Sequence, residues 1–106
     1  MTVPRITHLQ FYVLAALLRQ PLAGRAVRAR LREAKVRQSA PGFYQMMSTL
    51  EDSGYVSGWY EQQVLEGQII RERHYKILAA GRRAWCDSRD FYLGVIDEVG
   101  EEPALG

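Results

Sequence analysis

The stretch Ser39-Ala40-Pro41-Gly42-Phe43-Tyr44-Gln45-Met46-Met47-Ser48-Thr49-Leu50-Glu51-Asp52-Ser53-Gly54-Tyr55-Val56 decides how this chain is read. Ser39 is the kind of residue that caps a helix N-terminus, and Pro41 falls in the first turn, where a missing N–H costs nothing. Phe43, Met46 or Met47, and Leu50 recur at helical spacing and define one inward face. Gly54 stands where a left-handed C-terminal cap is wanted. Tyr55 and Val56 then open a strand. The segment reads as a short helix with a sharp start, a buried face and a clean stop.

Working outward, residues 23–34 read as a second helix. Ala26, Val27 and Leu31 form its inward stripe, and Arg25, Arg28, Arg30 and Arg32 crowd the rest. Lys35-Val36-Arg37-Gln38 is the turn between the two helices. On the other side, residues 55–60 read as a strand, residues 61–68 as a connection containing Gly67, and residues 69–77 as the return strand. Helix, helix, hairpin in that order is the plan of a winged helix-turn-helix, a scaffold that lays one helix in a DNA groove.

Two further helices frame this unit. Thr7-His8-Leu9-Gln10 fits a capping box, and the helix it opens spans residues 8–19. Its apolar residues Leu9, Phe11, Tyr12, Val13, Leu14, Leu17 and Leu18 go almost all the way round. One small domain hardly covers both faces, so a face carrying Leu14 and Leu18 is expected to meet another subunit. Residues 79–99 read as a long final helix. Trp85, Ser88, Tyr92, Val95 and Val99 step along it by three and four, a seam of the coiled-coil kind with Ser88 as its one polar member. Gly100 and Pro103 end it. The expected fold is mainly α with a small β-hairpin: a winged helix-turn-helix over residues 1–78, a dimerisation helix over 79–99 and a flexible tail over 100–106.

The composition agrees with one globular domain, with 106 residues, 47% of them apolar and 25% charged. The single cysteine, Cys86, excludes an intrachain disulfide and a cysteine-based zinc site. The N-terminus lacks a secretory pattern, and the longest apolar run, residues 11–18, is too short to span a bilayer. A cytoplasmic protein without membrane contact is expected. His8 and His74 are too few and too separated for a metal site. No Gly-rich phosphate loop or serine–histidine–acid order is present, so the reading expects no cofactor, no metal and no enzyme. The net charge of +2 hides an asymmetry: residues 1–50 carry eight basic side chains against one acidic, and residues 84–106 one against six. A basic front and an acidic tail suit a protein that meets a polyanion with one end.

In a winged helix the N-terminal part of the second helix of the pair reaches base edges. Here that part offers Pro41, Gly42, Tyr44, Gln45 and Ser48, with Gln45 the natural base reader because an amide bonds twice to adenine. Tyr44 either meets sugar, a thymine methyl or phosphate, or stacks inside the domain. The helix start at Ser39 offers free N–H groups to a phosphate. Arg25, Arg28, Arg32, Lys35 and Arg37 are candidates for phosphate neutralisation, joined by Arg71 and Arg73, which alternate on one face of the return strand. Arg82 and Arg83 read as solvating the start of the last helix.

Several pieces together resemble the PadR-type transcriptional regulators, in their shorter class with a single C-terminal dimerisation helix. They are Leu14-Ala15-Ala16-Leu17-Leu18, Leu22-Ala23-Gly24-Arg25-Ala26-Val27, the stretch from Pro41 to Val56, and Arg73-His74-Tyr75-Lys76-Ile77-Leu78-Ala79-Ala80-Gly81-Arg82-Arg83. The resemblance covers roughly residues 9–85, and the central piece is its most specific part. It implies a homodimer on a pseudo-palindromic site in double-stranded DNA, with repression as the usual outcome. It also implies a small planar aromatic effector between subunits, for which Phe11, Tyr12, Trp85, Phe91 and Tyr92 are the candidate residues; the same aromatics also suit a plain dimer core. Three positions depart from the pattern. Arg25 follows Gly24 where tyrosine is usual, Leu78 replaces a threonine that caps the last helix, and the hairpin tip carries Glu61, Gln62, Gln63, Glu66 and Gln68 instead of cations. The neutral tip and acidic C-terminal segment fit an alternative, a winged-helix protein-interaction module without operator-specific DNA binding. A third reading is a small-molecule-sensing scaffold that partners another regulator.

Overall fold

A computed structural model of the chain describes residues 3–100. Along it run α1 (His8–Leu17), β1 (Leu22–Ala23), α2 (Gly24–Glu33), α3 (Ala40–Asp52), β2 (Val56–Leu65), β3 (Gln68–Ile77) and α4 (Ala79–Val99). Apart from Gly100, the tail expected over 100–106 lies outside the described residues.

Local chemistry sets the helix ends. The Thr7 hydroxyl accepts from the Gln10 N–H at 3.1 Å, and the Gln10 amide oxygen accepts from the Thr7 N–H at 2.9 Å, closing the capping box. Ser39 Oγ accepts from the Gly42 N–H at 3.1 Å to start α3. Gly54, at φ +76°, stops α3. The Tyr55 N–H reaches back to the Leu50 carbonyl and the Gly54 N–H to that of Glu51, the paired bonds of a Schellman cap. At the start of α4, Leu78 makes no side-chain cap.

The sheet departs from expectation in two ways. The sequence shows no strand between the first two helices and places Ala23 in the second, yet Leu22–Ala23 forms β1, which pairs antiparallel with β3 through Leu22↔Tyr75 and Ala23↔His74. The sheet therefore has three strands in the order β1-β3-β2. Two residues are too few to show any alternation, so only the neighbour reveals the strand. The hairpin connection is also far shorter than residues 61–68. Pairing runs from Val56↔Ile77 out to Leu65↔Gln68, closed by Glu66 (φ 51°) and Gly67 (φ 80°). Two left-handed residues make the tight turn whose twist matches a hairpin. The distal ribbon has no core to bury a face against, so its sequence lacks the apolar alternation by which a strand is recognised.

Val13, Leu14 and Leu17 of α1, Val27 and Leu31 of α2, Phe43, Met47 and Leu50 of α3, and Val56, Tyr75 and Ile77 of the sheet form the core. Met47, not Met46, is the buried methionine of α3. Leu14, expected at a subunit contact, is fully buried in this core and has no surface to offer a partner. Leu18 packs at the core's edge.

The proximal part of α4 packs on α1. Phe11 stacks on Trp85 with ring centres 5.5 Å apart and meets the Tyr92 ring edge-on at 5.4 Å. Ser88 is buried and donates to the Ala84 carbonyl, so this member of the expected seam is enclosed by its own chain. Arg82 does more than solvate: its guanidinium donates to the Leu18 carbonyl at 2.9 Å and closes the C-terminal end of α1. Gly81 lies so close to the Tyr55 carbonyl and the Ile77 side chain that a Cβ there would overlap both. Beyond Tyr92 the helix leaves the domain, and Leu93, Val95, Ile96 and Val99 are exposed. Among the described residues no helix is long and apolar enough to cross a membrane.

Candidate nucleic-acid interface

With Phe43, Met47 and Leu50 fixed in the core, helical geometry turns Pro41, Tyr44, Gln45, Ser48 and Thr49 outward, and all five are exposed. Gln45 has a free side-chain amide; its backbone carbonyl accepts from Thr49 Oγ1 at 3.1 Å. Tyr44 shares both roles considered for it. Its ring meets Phe43 edge-on at 5.0 Å and lies over Gly24, where a Cβ would fall 3.2 Å from the phenol oxygen, yet it keeps an exposed face. The N-terminus of α3 offers less than expected: Gly42 gives its N–H to Ser39, Pro41 has none, and Phe43 bonds the Ser39 carbonyl. Gly42 and Ser39 thus serve the helix start itself, leaving the Ala40 N–H.

The cations divide into two sets. Arg28, Arg32, Lys35 and Arg37 surround the α2–α3 turn, and none has an acidic partner among the described residues. Arg28, Arg32 and Arg37 rim a cavity of about 490 Å³ whose floor is Leu31, Val36 and Phe43. The second set lies across α3, in a cleft of about 480 Å³ lined by Arg25, Tyr44, Ser48, Glu51, Tyr60, Arg71, Glu72, Arg73 and Tyr75. Here two arginines read as phosphate contacts are already engaged. Arg25 pairs with Glu72 at 3.1 Å, and Arg73 with Glu51 at 2.6 Å in a half-buried contact. Burial works to lower the Arg73 pKa, but the hydrogen bond and charge of Glu51 outweigh it and the pKa is raised. Arg71 has no acidic partner among the described residues; its guanidinium lies 4.3 Å over the Tyr60 ring. Arg71 and Arg73 do share one face, as their alternation requires, and both flank Tyr60.

Tyr75 forms the floor of the cleft. Burial pushes its phenol up to about 12, against the lowering effect of Arg73, so the hydroxyl stays neutral. Gly58 is opposite Tyr75, and a Cβ there would displace the Glu51 carboxylate from Arg73. Glu51, Gly58, Tyr60 and Glu72 were absent from the expected set. For Gly58, Tyr60 and Glu72 the signal is the strand register, hidden by the expectation of a loop over residues 61–68, whereas Glu51 follows Tyr44 and Ser48 at helical spacing on α3.

The aromatic group at the α1–α4 contact keeps Phe11, Trp85 and Tyr92 together, with Phe91 edge-on to Tyr92 at 5.7 Å. The Trp85 indole N–H is buried without a partner among the described residues. Tyr12 is not part of this group. It faces α2, where its hydroxyl donates to the Arg30 carbonyl at 3.4 Å. Among the described residues no group of three His, Cys, Asp or Glu side chains converges as a metal site, and Cys86 is a half-buried free thiol.

No protein-family model matches the chain, and no curated protein matches it by sequence. Solved structures do match. One is a protein of Thermoplasma acidophilum provisionally assigned as a transcriptional regulator, at 26% identity and TM-score 0.62, over 86% of this chain and 88% of that one. Another is a PadR-like transcription factor of Bacteroides fragilis, at 16% identity and TM-score 0.71, over 86% and 85%. A third is the PadR of Bacillus subtilis in complex with operator DNA, at 16% identity and TM-score 0.62, over 93% of this chain and 52% of that one. The first two are described as a transcriptional regulator and a transcription factor, the third is bound to operator DNA, and none is described as an enzyme. With its α2–α3 pair and three-stranded sheet, the chain is PadR-like in fold, a winged helix-turn-helix followed by one long C-terminal helix.

Proposed function

We propose that this protein is a DNA-binding transcriptional regulator that acts in the cytoplasm as a homodimer. The observation that carries the reading is the outward face of α3. Tyr44, Gln45 and Ser48 are exposed on a helix held rigidly by its other side, next to four cations without acidic partners among the described residues. In the major groove Gln45 would bond adenine, Arg28, Arg32, Lys35 and Arg37 would take phosphate on one side, and Arg71 on the other. The likeness to a regulator solved with operator DNA supports the same role.

Dimerisation rests on α4. Leu93, Val95, Ile96 and Val99 are exposed along its outer turns, an apolar strip of the kind that marks a protein contact. Two copies joined there would present two α3 helices to a pseudo-palindromic site, with half-site centres about 34 Å apart or a multiple. A planar aromatic molecule inserted beside Phe11, Trp85 and Tyr92 would change the spacing of the two reading helices and release DNA, the behaviour of a repressor.

The test is selection from a random duplex pool, followed by fluorescence anisotropy of enriched and scrambled duplexes over a salt series. Enrichment of an inverted repeat that outlasts physiological salt is the expected result. Equal, salt-labile binding to both duplexes overturns the reading and leaves a winged-helix protein-interaction module. Repeating the titration with a planar aromatic dye tests release, and unchanged affinity removes that part.

A further inference from the structure

The cleft between α3 and the sheet holds three guanidiniums, and the fold treats each differently. Arg25, Arg71 and Arg73 line it together with the carboxylates of Glu51 and Glu72. Arg73 is built into the wall: its side chain is 28% exposed, it bonds Glu51, and its guanidinium lies 4.8 Å and 5.9 Å from the ring centres of Tyr60 and Tyr75. Arg71 rests on Tyr60 and has no acidic partner among the described residues. Arg25 is the intermediate case. Its side chain is 64% exposed, yet a terminal nitrogen stands 3.1 Å from Glu72 Oε1.

That carboxylate differs from an ordinary surface acid. The Glu72 side chain is 12% exposed, and its Oε2 is buried without a hydrogen-bond partner among the described residues. Arg25 is the one cation paired with it there. Charges poorly screened by water attract strongly, and a buried carboxylate stripped of its cation is costly. Arg25 is therefore held by an anion that has no second cation to turn to. A phosphate that drifts nearby keeps its water and competes poorly with this direct contact. A phosphate seated against α3 is different. A guanidinium has several N–H donors, so the exposed part of the Arg25 fork reaches a close oxygen while Glu72 keeps its own bond.

We infer that Glu72 is a specificity-determining residue: it cancels the charge of Arg25 toward loosely bound DNA and leaves that cation only to a backbone seated beside α3. This rests on the DNA-binding reading. Tyr44 and Ser48 of the reading face line the same cleft, so with α3 in a major groove a bordering strand passes over Arg25. Non-specific binding follows the number of cations that face the duplex, because each phosphate neutralised releases counterions. Glu72 removes one cation from that number. The base contacts of α3 are untouched by it, so bulk DNA loses more than the selected site does and the gap between them widens.

The test compares Glu72→Gln with the parent chain on a selected and a scrambled duplex over a salt series. Glutamine keeps the shape and removes the charge. One more effective cation should steepen the salt slope on the scrambled duplex by about 0.9, which amounts to about eightfold tighter binding at about 0.1 M salt. The selected duplex already shares Arg25 and should gain less, so the preference between the two falls. Adding Arg25→Gln to Glu72→Gln should cancel the gain. Both variants lack the same carboxylate, so a folding defect from its loss appears in both, and only the gain separates them. Unchanged binding of Glu72→Gln to the scrambled duplex overturns the inference, because Arg25 then lies away from DNA. Weaker binding to both duplexes also overturns it, since Glu72 would then aim Arg25 at phosphate. So does an equal gain on both, which would make Glu72 a brake on affinity and not on choice, and so does a gain that survives in the double variant. A parent chain that prefers no duplex is the separate outcome in which the DNA reading is lost, and this inference with it.

Discussion

On α3 the apolar side chains Phe43, Met47 and Leu50 are buried and the outward residues are polar; on the outer turns of α4, Leu93, Val95, Ile96 and Val99 stand exposed. Both helices are amphipathic, but only α3 has its apolar face answered within the chain. The polar groups do not divide in this way. Around α3, Arg25 pairs with Glu72 and Arg73 with Glu51, yet Glu72 Oε2 and Gln38 Oε1 are buried without a partner among the described residues, as is the Trp85 N–H beside α4. Local sequence makes a helix two-sided, and only the neighbours decide what each side is for. The apolar face at the α3 end is finished within the chain, while that of the outer turns of α4 is left open and would be covered in the proposed dimer.

The strongest way to break this comparison is to charge the bare helix. Val95→Asp with Val99→Asp should halve the mass found by sedimentation, from twice 12.1 kDa to 12.1 kDa. It should also weaken binding to a two-half-site duplex about 100-fold through lost avidity. A parent chain that sediments as a monomer would show that the apolar face is not a subunit contact.

The junction of the two regions is Gly81. Alanine there gains about 1 kcal/mol of helix propensity, but its Cβ would overlap the Tyr55 carbonyl and force α4 away from β2. Gly81→Ala should therefore lower the unfolding free energy by about 1–3 kcal/mol in a denaturant titration. A neutral or stabilising result would mean that α4 is not clamped at this point.

The smallest effect sharpens the finished end. Folded Tyr75 keeps its proton to about 12, and the unfolded chain releases it from 10. Between those values the unfolded state binds fewer protons, so this contribution to stability is present below pH 10 and falls as pH rises toward 12. The slope approaches about 1.4 kcal/mol per pH unit for one proton. Tyr75→Phe should flatten the alkaline stability profile by that amount; an unchanged slope would mean that the floor of the cleft is wet.

How much of this was legible depended on range. Gly58 appears in the sequence as a small residue in a strand, and its reason lies with Glu51 and Arg73, which are 22 residues apart. Arg82 reads as a solvated cation, and its partner is a carbonyl 64 residues away. Tyr12 and Phe11 are neighbours on one helix, yet one faces α2 and the other α4. Among the expected phosphate contacts, Arg25 and Arg73 proved to be held by carboxylates that no spacing rule connects to them.

By itself the sequence determined the capped start of α1, the start and stop of α3, the span of α4 and the order of elements that makes a winged helix. Each of these depends on residues within about four positions or on a regular apolar period, so the information is local. Tertiary structure alone decided the third strand, the length of the wing, which cations stay free, and which apolar residues remain uncovered. Those follow from register and from packing between distant segments, where a side chain's role is set by what lies opposite it.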